Sequence, residues 1–201
     1  DEVLDLHADA LVSTNAIHLY YDLPGTLAAW RRSLKPGSRV LVQSGNIRNP
    51  EARPGEWIID ETVEEIHRKA CEIVQEDSRY QPYRPVLGDP AIMDRYAELR
   101  RKFFLPVRPL SHYLTLLRGA GFTGVEVRAR TIEARVSEWR QFLSAYHEGV
   151  LPWVGGCERV DGRPPAEEAV RDRLELLGQA LHRLFKGSDR FPCCWTYISS
   201  Q

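Results

Sequence analysis

The side chains whose types could do chemistry gather just after two short apolar runs. Ser13, Thr14, Asn15 and His18 follow Ala10, Leu11 and Val12, and Gln43, Ser44, Gly45 and Asn46 follow Val40, Leu41 and Val42. Hydroxyl and amide groups donate and accept hydrogen bonds, and an imidazole can take a proton near neutral pH. His18 is therefore the candidate catalytic base; the other reading of the same residue is that it packs or hydrogen-bonds its loop. Tyr20 and Tyr21 are candidate pocket-lining residues, with one of the pair facing the core. Gln43, Ser44, Gly45 and Asn46 are candidate substrate-side contacts, Gln43 and Asn46 foremost, because ligands enter an open α/β fold at the carboxyl ends of its strands. No metal ligand set is expected. His67, His112, His147 and His182 lie far apart without an HxxxH or carboxylate-spaced partner, and Cys71, Cys157, Cys193 and Cys194 form no paired CxxC framework.

The elements that must position these groups can be read in order. Each apolar run reads as a buried parallel strand that stops at polar residues on the sheet's carboxyl edge. Between them the spacing of Leu23, Leu27, Trp30 and Leu34 predicts a helix, with Asp22 as N-cap, Pro24 in the first turn, and Pro36 and Gly37 closing it. Pro50, Pro54 and Gly55 mark a loop. Val63, Ile66, Ala70, Ile73 and Val74 form one helical stripe, and Asp89 with Pro90 caps a second helix carrying Ile92, Met93, Tyr96, Leu99 and Phe103. The intervening residues 78–90 are too rich in proline for a helix or a central strand. A helix over 112–118 ends at the glycines of GAGF, before a strand over 125–132. Trp139, Phe142, Leu143 and Tyr146 share one further helix, and Val170, Leu174, Leu177, Leu181 and Leu184 a long one. Residues 191–199 alternate as a final strand.

Three of these stretches resemble the back half of the core of class I S-adenosylmethionine-dependent methyltransferases, in particular their UbiE-like small-molecule group. DALVSTNAIHLYYD resembles the fourth strand and its loop. LAAWRRSLKPGSRVLV resembles the helix and turn leading into the fifth strand, with Ser38 in place of the usual second glycine, and LLRGAGFTGVEV resembles the helix before the sixth strand. The resemblance implies an α/β, Rossmann-like sheet of parallel strands with an antiparallel last strand beside the sixth. It implies S-adenosylmethionine as cofactor, with Ser13, Thr14 and Asn15 meeting its methionine end. The segment from Glu2 to Leu6 resembles the acidic-apolar pair before the fourth strand, which implies Glu2 as an adenine-side contact.

No GxGxG-like sequence occurs, so the glycine-rich cofactor-binding half is expected upstream, and this fragment alone is expected to be inactive. The expected organisation is one methyltransferase-like domain over 1–201, the carboxy-terminal part of the fold. It carries a helical lid insertion at 48–108 and a second helical insertion at 134–190. Tyr80, Tyr83, Trp57 and Trp153 in these insertions are candidates for an aromatic substrate chamber. Lid, packing appendage and dimer contact all stay open as roles for them.

Composition narrows the function classes. With 201 residues, 43% hydrophobic and 27% charged, the chain reads as one ordinary globular domain. A formal net charge of -1 gives no electrostatic reason to expect nucleic acid or an anionic membrane. No apolar run of spanning length and no leader-like segment is read, so a reduced, cytoplasmic protein is expected. The expected function is methyl transfer from S-adenosylmethionine to an oxygen, nitrogen or carbon of a small molecule. The alternative is a non-catalytic methyltransferase-like module whose insertion helices bind a protein partner. A homodimer is a further open expectation, since apolar insertion helices can cover a substrate or a twin subunit.

Overall fold

The computed structural model describes residues 7–201; Glu2 therefore lies outside the described residues. In chain order the elements are β1 (Ala8–Thr14), α1 (Leu23–Ser33), β2 (Leu34–Ser44), β3 (Ile47–Arg48), α2 (Glu61–Glu76), α3 (Arg84–Leu87), α4 (Pro90–Phe103), β4 (Arg108–Pro109), α5 (Leu110–Gly119), β5 (Glu126–Arg135), α6 (Val136–Ala145), α7 (His147–Val150), α8 (Glu158–Asp161), α9 (Glu167–Leu184) and β6 (Arg190–Ser200). They fall into two compact units, one of residues 7–59, 107–132 and 192–201, the other of residues 60–106 and 133–191.

The first unit is an α/β sheet in the order β1-β2-β6-β5. β1 and β2 run parallel, with Leu11 opposite Val40 and Thr14 opposite Gln43; β6 runs antiparallel to β2, with Ser44 opposite Thr196. The antiparallel last strand thus stands between β2 and β5, as the resemblance implies. Asp22 caps α1 by accepting from the Gly25 N–H at 2.9 Å, and Pro24 occupies the first turn. Leu34, expected in the helix, is the first residue of β2 instead, because Pro36 disfavours helical backbone just before it.

The core of this unit lies on one face of the sheet. Val40, Val42 and Ile198 pack there with Leu23 and Leu27 of α1 and Tyr113 and Leu117 of α5, all at most 3% exposed. Burying each such aliphatic side chain is worth about 1.5–3 kcal/mol. Side chains alternate along a strand, so Val12 and Leu41 point to the opposite face, where they are 66% and 42% exposed. The expectation of strands buried on both faces is therefore corrected: among the described residues of this unit, helices α1 and α5 both serve the other face.

The second unit is helical. The stripe Val63, Ile66, Ala70, Ile73 and Val74 of α2 is buried, and α2 packs against α9. On α9 Leu177 and Leu181 are buried as expected, whereas Val170, Leu174 and Leu184 are half-buried and the charged Arg173 takes a place in the buried stripe. Residues 78–87 correct the proline-based expectation. Ser78–Tyr83 form a 3-10 turn and Arg84–Leu87 a short helix, with Asp77 capping the turn through the Arg79 N–H and Pro85 at the helix start, where no N–H is needed. Among the described residues no helix is long and apolar enough to cross a membrane.

Candidate functional site

The carboxyl ends of β1 and β2 are tied together by side chains. Asn15 leaves β1 with φ +47°, a left-handed conformation that Asn tolerates better than most residues. Its N–H donates to the Gln43 carbonyl at 2.7 Å, holding the loop to β2. Its Oδ1 accepts from Ser44 Oγ at 3.1 Å and from the Gly45 N–H at 3.2 Å. Ser44 Oγ also accepts from the Asn46 N–H at 3.0 Å.

His18, in the short 3-10 turn Ile17–Leu19, closes this network. Its Nε2 lies 3.0 Å from Asn46 Nδ2 and its Nδ1 lies 3.3 Å from Ser44 Oγ. An amide nitrogen can only donate, so Nε2 accepts and the ring proton sits on Nδ1, directed at Ser44. His18, Ser44 and Asn46 are 7%, 0% and 2% exposed. Burial pushes the imidazole down to about 4, so the ring is neutral near pH 7.

A second set of contacts joins the other side of the strand ends. Trp195 Nε1 donates to Gln43 Oε1 at 3.0 Å, and Gln43 Nε2 donates to Thr14 Oγ1 at 3.3 Å. Thr14 is exposed and keeps its own hydroxyl proton to donate. Gly45 admits no side chain, since a Cβ there would lie 2.6 Å from the Trp195 ring. Ser13 Oγ is buried with no hydrogen-bond partner among the described residues.

The structure thus brings Asn15, His18 and Asn46 into one network and Thr14 and Gln43 into another. It does not bring the tyrosines into either. Tyr20 stands edge-on to Trp30 at 5.9 Å between ring centroids, and Tyr21 is 75% exposed. Of the aromatic chamber candidates, Trp57 is held in the sheet unit by backbone bonds to Pro192 and Cys194, while Tyr83 and Trp153 line a cavity of the helical unit and Tyr80 is buried there without lining it. Sequence reasoning read Ser44 as a substrate-side contact and not as the hub of the network, and missed Trp195 as the partner of Gln43. Nothing local signals the latter pair, which is 152 positions apart. Among the described residues no three His, Cys, Asp or Glu side chains cluster as a metal site.

The groups fit the methionine end of S-adenosylmethionine in a limited way. Asn15 Oδ1 is spent on Ser44 and Gly45, and the Ser13 hydroxyl is enclosed, which leaves the Asn15 Nδ2 amide and the exposed Thr14 hydroxyl as the groups able to reach a ligand carboxylate or ammonium.

No protein-family model matches the chain, and no curated protein matches it. Several solved structures align with most of its length. The YcgJ protein of Bacillus subtilis is 10% identical with a TM-score of 0.47, covering 98% of this chain and 64% of its own. Phosphoethanolamine N-methyltransferase 2 of Haemonchus contortus, solved with S-adenosylmethionine, is 14% identical with a TM-score of 0.39, covering 96% of this chain and 32% of its own. The 4+2 cyclase SpnF is 11% identical with a TM-score of 0.39, covering 98% of this chain and 50% of its own. The chain thus spans less than two thirds of the length of these structures, and likeness at this level decides no activity.

Proposed function

We propose that this chain is the carboxy-terminal part of an S-adenosylmethionine-dependent methyltransferase acting on an oxygen, nitrogen or carbon nucleophile of a small molecule. The observation that carries the reading is the locked polar loop at the carboxyl ends of two parallel strands, Asn15 to Ser44 and His18 to Asn46, in the stretch whose sequence resembles that family. S-adenosylmethionine supplies a methyl group on a positively charged sulfur. The residues of this chain then have one main task, to hold and align. Good alignment alone is worth roughly 7–11 kcal/mol of a barrier.

Within this reading Thr14 contacts the methionine end of the cofactor, and Gln43 orients Thr14 from behind with Trp195 fixing Gln43. Both ring nitrogens of His18 are engaged inside the fold, so we assign His18 to positioning the loop and not to removing a proton. Asn46 likewise supports the loop through His18. The reading is tested by calorimetric titration of S-adenosylmethionine and S-adenosylhomocysteine into the full-length gene product and into the 201-residue chain. Binding by the full-length product, and weak or no binding by the 201-residue chain, is the expected result. No binding by either overturns the reading and favours the partner-binding module.

A further inference from the structure

We propose that a cavity of about 600 Å3 inside the helical unit binds a planar aromatic carboxylate. Its volume falls in the range of small-molecule sites, about 300–1,000 Å3. The inference does not rest on methyl transfer, because every lining residue belongs to the helical unit.

The walls suit a flat ring. Tyr83, Tyr96 and Trp153 line the cavity, and each phenol is fixed by a carboxylate: Tyr83 donates to Asp172 at 2.6 Å and Tyr96 to Asp161 at 2.8 Å. Trp153 is fully buried, and its indole N–H has no acceptor.

The rim suits an acid. Arg95 and Arg163 both border the cavity, and among the described residues neither has a carboxylate partner; Arg95 only donates to the Val160 carbonyl at 2.5 Å. The one carboxylate in the lining, Asp161, is already engaged by Tyr96 and by the Cys157 N–H at 2.7 Å. Arg95 and Arg163 thus offer two guanidinium groups at the rim, and guanidinium geometry favours a bidentate carboxylate.

Between rim and wall runs bare backbone. Gly155 and Gly156 have φ +79° and +81°; a Cβ on the first would lie 2.2 Å from Ala169 Cβ and on the second 2.8 Å from Asp161 Oδ2. Their N–H groups donate to no acceptor among the described residues. Arg173 holds the loop from inside, donating to the Val154 carbonyl at 3.1 and 2.6 Å and to the Gly156 carbonyl at 2.6 Å. The result is a fixed strip of donors beside an aromatic slot.

The test is calorimetric titration of the 201-residue chain with 2-naphthoate and with its neutral counterpart, 2-naphthalenemethanol, in the absence of cofactor. Binding of 2-naphthoate at least tenfold tighter than the alcohol is expected, with the preference abolished in Arg95→Gln/Arg163→Gln. Arg163→Gln alone removes a side chain that makes no hydrogen bond or ion pair among the described residues and is expected to weaken 2-naphthoate about threefold or more at an unchanged unfolding midpoint. Equal affinity for acid and alcohol, an undiminished preference in the double variant, or no heat from either compound at millimolar concentration overturns the inference. Because no cofactor enters the assay, its failure and the failure of the methyl-transfer reading are separate results.

Discussion

The polar ends of the sheet strands and the interior of the helical unit both bury groups that water would otherwise hold, with different partners. Around Ser44 the groups are neutral side chains that satisfy one another: the half-buried Asn15 and the buried His18 and Asn46 all bond within one cluster. In the helical unit Arg173, 0% exposed, brings a full charge inside and meets it with two backbone carbonyls and His147 Nδ1 at 3.0 Å. Burial pushes the Arg173 guanidinium down and keeps His147 below its ordinary value. A neutral cluster holds a loop through directional bonds and little field. A buried guanidinium fixes the carbonyls of a loop that lines a cavity. The same need for satisfied polarity thus gives a scaffold in one unit and a charged lining in the other.

The comparison breaks first at Arg173. Arg173→Met leaves the Val154 and Gly156 carbonyls without their donor, and a loss of about 3 kcal/mol is expected in urea unfolding of the chain. A loss under about 1 kcal/mol would mean that the loop does not depend on the buried charge. In the sheet unit Ser44→Ala strands the Nδ1 proton of His18 and removes one of the two donors to Asn15 Oδ1, for an expected loss of about 2 kcal/mol. Ser13→Ala sharpens the contrast. Its hydroxyl has no partner to lose, so its unfolding midpoint is expected to stay equal to wild type or rise.

Acid separates the units more gently. His18 and His67 both titrate near 4 in the fold against an ordinary 6.5, each because of burial. The unfolded chain therefore takes up these protons first as pH falls, so their contribution is fully present above about 6.5 and is lost progressively between 6.5 and 4. Unfolding midpoints measured at pH 7 and pH 4.5 are expected to fall in both units. His18→Gln is expected to shrink the fall for the sheet unit and leave the helical unit's fall unchanged.

Much of the sheet unit was legible in the sequence, because its signals are local. The Asp22 cap, the apolar runs ending in polar residues and the alternating last strand each report a nearby backbone event. The position of His18 was legible, but its engagement was not, since Ser44 and Asn46 lie 26 and 28 positions away. Arg173 was not legible at all: on a helix otherwise marked by leucines, an arginine reads as the solvated face, and only the carbonyls brought round by the glycine loop make its burial tolerable. Leu34 and the turn at 78–87 show the same limit at smaller scale, where proline was read correctly as a breaker in one place and too strictly in the other.

The most direct measurement is a nitrogen-15 NMR titration of the His18 ring in the folded chain. A neutral ring protonated on Nδ1 throughout the range above pH 5, titrating near 4, is the expected result and fixes His18 as a positioning residue. A ring that titrates near 6.5, or one protonated on Nε2, would contradict the closed network and return His18 to the role of proton acceptor.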